Sequence, residues 1–304
     1  MAPCCAIRGC SLHSFGNDRN PLLGFLKIFV TPACLAGSSL TSETIGKHMK
    51  SVQKATAFES DPRDLSAKSE ESYGELAPEY YCAHRHPTCA NFDLLQDALL
   101  DTLRPLVSKD GFYVEVGCGK GRLDRLAERA TVVLTDISDC MLGLARQRTR
   151  GRVRCERMNV FKPHFTDGTV DGVFGFLADP FNHGAFFQNS HRMLSEGGRL
   201  VVTLPNHEWA VAVRTALGQP IDQTTFINCQ GRKVTAPSIT RPRIEQIALM
   251  KAIGYDVQST WALSLNSLAI GRPTPSHHVI LAAQRLALDP LTAPLVDVFV
   301  AAKI

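Results

Sequence analysis

The sequence predicts an α/β fold, a parallel sheet with helices on both faces. Three observations predict it. Between Phe112 and Leu204, short β-branched or aromatic runs alternate five times with stretches of helical spacing. The first run ends in a glycine-rich turn at Gly117 and the second in an acid, Asp136. Finally, 44% of the 304 residues are hydrophobic and only 20% charged, enough apolar side chain for a sizeable core. That balance excludes a disordered chain, a collagen-like fibre and a coiled coil.

Residues 1–70 carry four cysteines, little periodicity and a polar second half, and read as a poorly ordered or loosely attached N-terminal extension. Within it, the apolar stretch Leu22–Gly37 is interrupted by Lys27 and Pro32, which leaves it too short to span a bilayer and poor as a signal peptide. Met49 followed by Lys50 is a candidate second start; peptides from before Met49 in natively expressed protein would exclude it. From residue 71 the pattern tightens into one domain, 71–304. Phe92, Leu95, Leu99 and Leu103 share one face of a helix over Asn91–Leu103. Phe112–Val116 is a strand. Leu123, Leu126, Ala127 and Ala130 mark a helix. Thr131–Thr135 is a β-branched strand, and Ser138 can cap a helix carrying Met141, Leu142 and Ala145. Val153–Met158 and Val170–Leu177 are strands. Phe186, Phe187, Met193 and Leu194 fit a helix stopping at Gly197-Gly198, and Arg199–Leu204 is a strand.

The most specific motif is Val114-Glu115-Val116-Gly117-Cys118-Gly119-Lys120-Gly121, placed between a strand and a helical pattern. Glycines there let backbone approach a ligand closely, and a helix start supplies free N–H groups. A dinucleotide site needs G-x-G-x-x-G with a small third residue. Here the third glycine comes one residue early and Arg122 occupies the small position, which disfavours a nicotinamide oxidoreductase. Asp136 follows Gly117 by 19 residues and can accept both ribose hydroxyls of a nucleoside.

The G-x-G-x-G turn, with Glu115 two residues before its first glycine, resembles that of class I S-adenosylmethionine-dependent methyltransferases. Further landmarks in order are similar to that family: Asp136 with Ile137-Ser138 and Met141-Leu142; Asn159 and Val160 after the third strand, where the family usually has an acid near the adenine amino group; Phe165–Asp171 as the turn into strand four; and Arg192–Arg199 as the R-x-L-x-x-G-G turn into strand five. Tyr73–Tyr80 resembles the N-terminal cap of small-molecule methyltransferases such as those of quinone biosynthesis. The resemblance implies a Rossmann-like seven-stranded sheet of order 3-2-1-4-5-7-6 with an antiparallel last strand at Val296–Ala302. Arg243–Gly254 would be the helix before strand six, and Tyr255–Leu263 that strand. It also implies a cap over 71–106 and substrate-side insertions at 207–239 and 264–290. The implied cofactor is S-adenosyl-L-methionine, held by Glu115, Gly117, Cys118, Gly119, Gly121, Asp136, Ile137, Met141, Asn159, Val160, Tyr73 and Tyr80.

The activity implied is methyl transfer to an O, N or C nucleophile of a small-molecule acceptor. A base is needed only if the nucleophile must shed a proton. Candidates lie in loops beyond the carboxyl ends of the strands: His183 first, then Asp179 and His207, with Glu208, His84 and His86 behind them. Asp179-Pro180-Phe181 partly resembles the (D/N)PP(Y/F) loop of amino-methyltransferases, but lacks the second proline. A non-catalytic binding or assembly protein on the same fold, and a nucleic-acid or protein methyltransferase, are the alternatives. A net charge of +4 is too small to argue for nucleic acid. The alternate arginines Arg146, Arg148, Arg150, Arg152 and Arg154 lead into the third strand, away from the cofactor, and read as a solvated loop. Ten cysteines without a CxxC pair fit free thiols in a reducing, cytoplasmic setting. No spacing suggests a metal.

Overall fold

The computed structural model describes residues 60–126, 129–267 and 273–304. The expectations for Leu22–Gly37 and Met49 lie outside them, as does Ala127. The expected boundary at residue 70 falls inside a helix, α1 (Pro62–Leu76), whose N-cap Asp61 accepts the Arg63 N–H at 2.8 Å. The described fold therefore reaches back to Pro62. A second helix, α2 (Pro87–Leu103), buries Phe92, Leu95, Leu99 and Leu103 on one face.

The strands are β1 (Phe112–Val116), β2 (Thr131–Asp136), β3 (Arg154–Arg157), β4 (Val170–Gly175), β5 (Leu194–Pro205), β6 (Gln223–Ile227), β7 (Lys233–Pro237), β8 (Tyr255–Leu263) and β9 (Val296–Lys303). Seven form one sheet in the order β3-β2-β1-β4-β5-β9-β8, with β9 antiparallel to both neighbours. This is the Rossmann-like order that the resemblance implied. Between strands run α3 (Asp139–Thr149), α4 (Gly184–Met193), α5 (His207–Ala216), α6 (Arg243–Ile253) and α7 (His277–Leu286). The remaining strands, β6 and β7, make a separate hairpin within 207–239.

Period-two alternation divides the core between two faces. Val114, Val173, Leu200, Val202 and Phe299 join Phe186 and Phe187 of α4 and Leu249 and Met250 of α6. Tyr113, Phe174, Val201, Val298 and Val300 join Leu99 and Leu103 of α2 and Leu142 of α3. Ser138 caps α3 by accepting the Met141 N–H at 3.3 Å, as its position suggested. No helix among the described residues is long and apolar enough to cross a membrane.

Two elements differ from the sequence reading. No α-helix follows the glycine turn among the described residues; one 3₁₀ turn spans Leu123–Arg125. Also, α4 ends at Met193 rather than at Gly197-Gly198. Leu194 already pairs with Val170, and the glycines sit in the irregular start of β5, where a Cβ on Gly198 would lie 2.8 Å from the Ser195 carbonyl oxygen.

The α4 face of the core depends on Phe187, fully buried against Phe186 with ring centroids 4.8 Å apart. Phe187→Ala is expected to lower stability by about 3–5 kcal/mol, read as a shifted midpoint in urea unfolding.

Candidate functional site

A cavity of about 870 Å³, counting its open mouth, lies beyond the carboxyl ends of β1, β2 and β4. The glycine loop forms its floor with Gly117, Cys118 and Gly119. Asp136, Ile137 and Met141 form one wall, Asn159 and Val160 a second, and Tyr73 and Tyr80 the cap side. These ten residues were expected to share a site, and the fold brings them together from six separated segments.

The glycines do different jobs. Gly119 has φ +52°, and a Cβ there would collide with the Tyr81 hydroxyl; only glycine leaves the loop open between cap and floor. Gly121 has φ +77° and faces away from the cavity, where a Cβ would lie 2.6 Å from Leu134 Cδ1. It is a packing residue rather than a cavity residue, because the chain must pass close over β2.

Glu115 also departs from expectation. It does not line the cavity. Its fully buried carboxyl turns back into the loop, where Oε2 accepts the N–H groups of Arg122 at 2.8 Å and Leu123 at 2.7 Å. Burial pushes it up from 4.5 to about 7 despite those two bonds. Asp136 does face the cavity. Its Oδ2 accepts the Gly119 N–H at 2.9 Å and its Oδ1 the Ser138 N–H at 2.9 Å. Burial raises it to about 6. Each carboxylate oxygen keeps a lone pair for a ligand. Asn159 is more occupied than expected: its Nδ2 donates to Ser66 Oγ at 2.9 Å and its Oδ1 accepts the Phe161 N–H at 2.9 Å. The Cys118 thiol is buried and pushed well above its ordinary value by desolvation, so it is a small neutral filler.

The catalytic candidates separate. His183 is the N-cap of α4, its Nδ1 accepting the Ala185 N–H at 3.0 Å, and it does not line the cavity. His207 Nδ1 lies 3.2 Å from Thr240 Oγ1, also outside it. Asp179 lines a second cavity, which shares Tyr73, Tyr80, Cys89 and Leu177 with the first. The Asp179-Pro180-Phe181 segment is a short 3₁₀ turn before α4. Of the alternate arginines, Arg148 turns in under the loop, donating to the Lys120 carbonyl at 2.7 Å and pairing with Asp124.

Further residues at the site were missed. Tyr81 accepts the Lys120 N–H at 3.2 Å, with the Lys120 ammonium 4.8 Å from its ring centroid. Arg122, 5% exposed, pairs with Asp93 and Asp97 of α2, and Lys120 with Asp93 at 2.6 Å. The signal was present: Asp93 and Asp97 are one turn apart on a helix and face a Lys-x-Arg loop. Leu177 had no signal. It has φ +55° just past β4, held by its N–H to Thr203 Oγ1 at 2.7 Å, a strained backbone between the two cavities.

Residues 114–198 match the family model of the methyltransferase domain. Among curated protein sequences, none matches. Solved structures share the fold. The DhpI complex with SAH aligns with a TM-score of 0.51 at 18% identity, covering 78% of this chain and 96% of that one. A SAM-dependent methyltransferase from Methanosarcina mazei aligns at 0.50 and 15% identity, covering 67% and 97%. A chain from the Haloferax volcanii complex of the Trm112 methyltransferase activator with a methyltransferase aligns at 0.53 and 15%, covering 76% and 96%. Residues 114–198 thus match a methyltransferase domain, and the seven-stranded sheet has the fold of these solved structures.

The buried acids make this domain pH-sensitive. Glu115 at about 7 in the fold, against 4.5 ordinarily, keeps its proton where the unfolded chain has lost it. Its contribution is fully present below pH 4.5 and lost as pH rises through 7. Glu115→Gln, which mimics the protonated acid, is expected to flatten the fall in Tm across that window. Some slope will persist, because Asp136 and Asp179 are raised in the same direction. Thermal melts at half-unit pH steps measure this.

Proposed function

We propose that the protein is an S-adenosylmethionine-dependent methyltransferase acting on a small-molecule acceptor in the cytoplasm. The observation that carries the reading is Asp136: a cavity-lining carboxylate at the end of β2, fixed by the Gly119 and Ser138 N–H groups beside an open glycine floor. A nucleoside ribose fits that arrangement, since its two hydroxyls can donate to the two carboxylate oxygens. Ile137 and Met141 would cover the adenine face, with Asn159 and Val160 at its edge. Tyr73 and Tyr80, rings 5.7 Å apart, would close over the methionine end together with Tyr81.

When bound, the cofactor supplies a methyl group already activated on a sulfonium. The chain must hold a nucleophile in line with that methyl and keep water out. The second cavity adjoins the first through Tyr73, Tyr80, Cys89 and Leu177 and is the natural place for an acceptor. Its walls come from α5 and the β6–β7 hairpin of the 207–239 insertion and from α7 of the 264–290 insertion. Its enclosed size favours a small molecule over a polymer. The six described cysteines are all free thiols, which suits a reducing compartment.

Calorimetric titration of S-adenosylmethionine tests the reading. Micromolar binding is expected, weakened at least tenfold in Asp136→Ala, a loss of about 1.4 kcal/mol. Equal affinity in both proteins, or no binding to either, would overturn it.

A further inference from the structure

We propose that the acceptor is a neutral aryl alcohol, seated in the second cavity with its hydroxyl on Asp179. The proposal rests on the methyltransferase reading above. The cavity holds about 690 Å³ of space, counting its open mouth. Aromatic side chains dominate its apolar wall: Tyr73, Tyr80, Phe92, Trp209 and Phe226. Flat faces and edges of this kind suit a ring. Trp209 is 5% exposed, and its indole N–H has no hydrogen-bond partner among the described residues.

The polar end of the cavity has a fixed hydrogen-bond direction. Arg214, 3% exposed, donates to the Ser238 carbonyl at 3.0 Å, to Thr224 Oγ1 at 3.3 Å, and to the Ile221 carbonyl and Ser238 Oγ. A guanidinium can only donate, so Ser238 Oγ must accept there. The Ser238 hydroxyl proton is then committed to Asp179 Oδ2. This chain of donors ends on the carboxylate and occupies one of its two oxygens. Asp179 is 8% exposed and forms no ion pair within 4 Å among the described residues. Its remaining acceptor capacity fits a hydroxyl donor on the ligand.

Charge selects among donors. The buried Arg214 guanidinium offsets the Asp179 charge in the same wall, so an ammonium-bearing acceptor would find little net attraction to repay the loss of its hydration. An anionic acceptor would approach Asp179 itself. A neutral hydroxyl avoids both penalties. In the transfer, the acceptor O–H bond breaks and its proton passes to Asp179. The oxygen–methyl bond forms as the methyl–sulfur bond breaks, and that electron pair stays on sulfur. Asp179 later returns the proton to solvent. Arg214 and Ser238 act through Asp179 and are positioning residues.

The test uses the full chain and three probes: 2-naphthol, naphthalene and 2-naphthylmethylammonium. S-adenosylhomocysteine is titrated first. Each probe is then measured by equilibrium dialysis, with and without saturating S-adenosylhomocysteine. We expect 2-naphthol to bind at least about tenfold more tightly than either other probe. Asp179→Asn should weaken 2-naphthol at least about tenfold while leaving S-adenosylhomocysteine affinity unchanged. Should that variant fail to fold, Ser238→Ala serves instead, with an expected loss of about threefold or more. Preference for the ammonium probe, equal binding of naphthalene, an unchanged 2-naphthol affinity in the variant, or no binding of any probe overturns the proposal. Failure of S-adenosylhomocysteine to bind counts against the methyltransferase reading. The order of probe affinities on the unliganded chain then still decides the acceptor class.

Discussion

The site depends on a buried carboxyl taking two backbone N–H groups. Glu115 sits fully buried in β1, yet it reaches past the turn to the amides of Arg122 and Leu123. Those amides would otherwise lack partners in the interior, a cost of roughly 1–3 kcal/mol each. With the loop's far end pinned, Gly119 can donate to Asp136. Lys120 and Arg122 can reach Asp93 and Asp97, and Tyr81 can sit on the loop from above. Floor, wall and cap are thereby tied to one strand.

The same logic operates at the second cavity with the charges reversed. There a buried guanidinium is the fixed point. Arg214 gathers the Ile221 and Ser238 carbonyls and the Thr224 and Ser238 hydroxyls, and so holds the β6–β7 hairpin region against α5. The neighbouring Asp179 keeps net charge in the wall low despite the burial of both groups. Hydrogen bonds from the hairpin turn to the cap reinforce the closure: Asn228 Nδ2 to Glu75 at 2.6 Å, and the Cys229 N–H to Glu79 at 2.7 Å. Phe226 lies 5.9 Å from Tyr80, ring to ring. Cap and insertion thus share the walls of the second cavity, and the cap tyrosines reach the first as well.

Much of this was legible in the sequence because it is local. The strands β1 and β2, the Ser138 cap and the amphipathic face of α2 follow from periodicity and propensity within a few residues. The glycine spacing and the acid at the end of the next strand carry the cavity floor for the same reason: a strand–turn–strand unit fixes their separation. The failures also have local causes. A helical pattern at Leu123–Ala130 reflects burial of Leu123 and Leu126 in an irregular connection. Glu115 was read as facing the cavity because its spacing from Gly117 is right; which way a buried carboxyl turns depends on which amides lack partners. His183 was preferred as a base because the family resemblance places a polar residue there beside the methyl group; in the fold its Nδ1 caps α4.

The sequence by itself determined the strands, the glycine loop and the acid beside it, since each rests on short-range pattern. Tertiary structure alone decided which polar groups meet. Arg122 with Asp93, Asp179 with Ser238, Ser238 with Arg214, and Asn159 with Ser66 join residues 29, 59, 24 and 93 positions apart. No periodicity encodes such pairs. They form because burial leaves each of these polar groups only a few partners within reach, and the sheet order determines which partners those are.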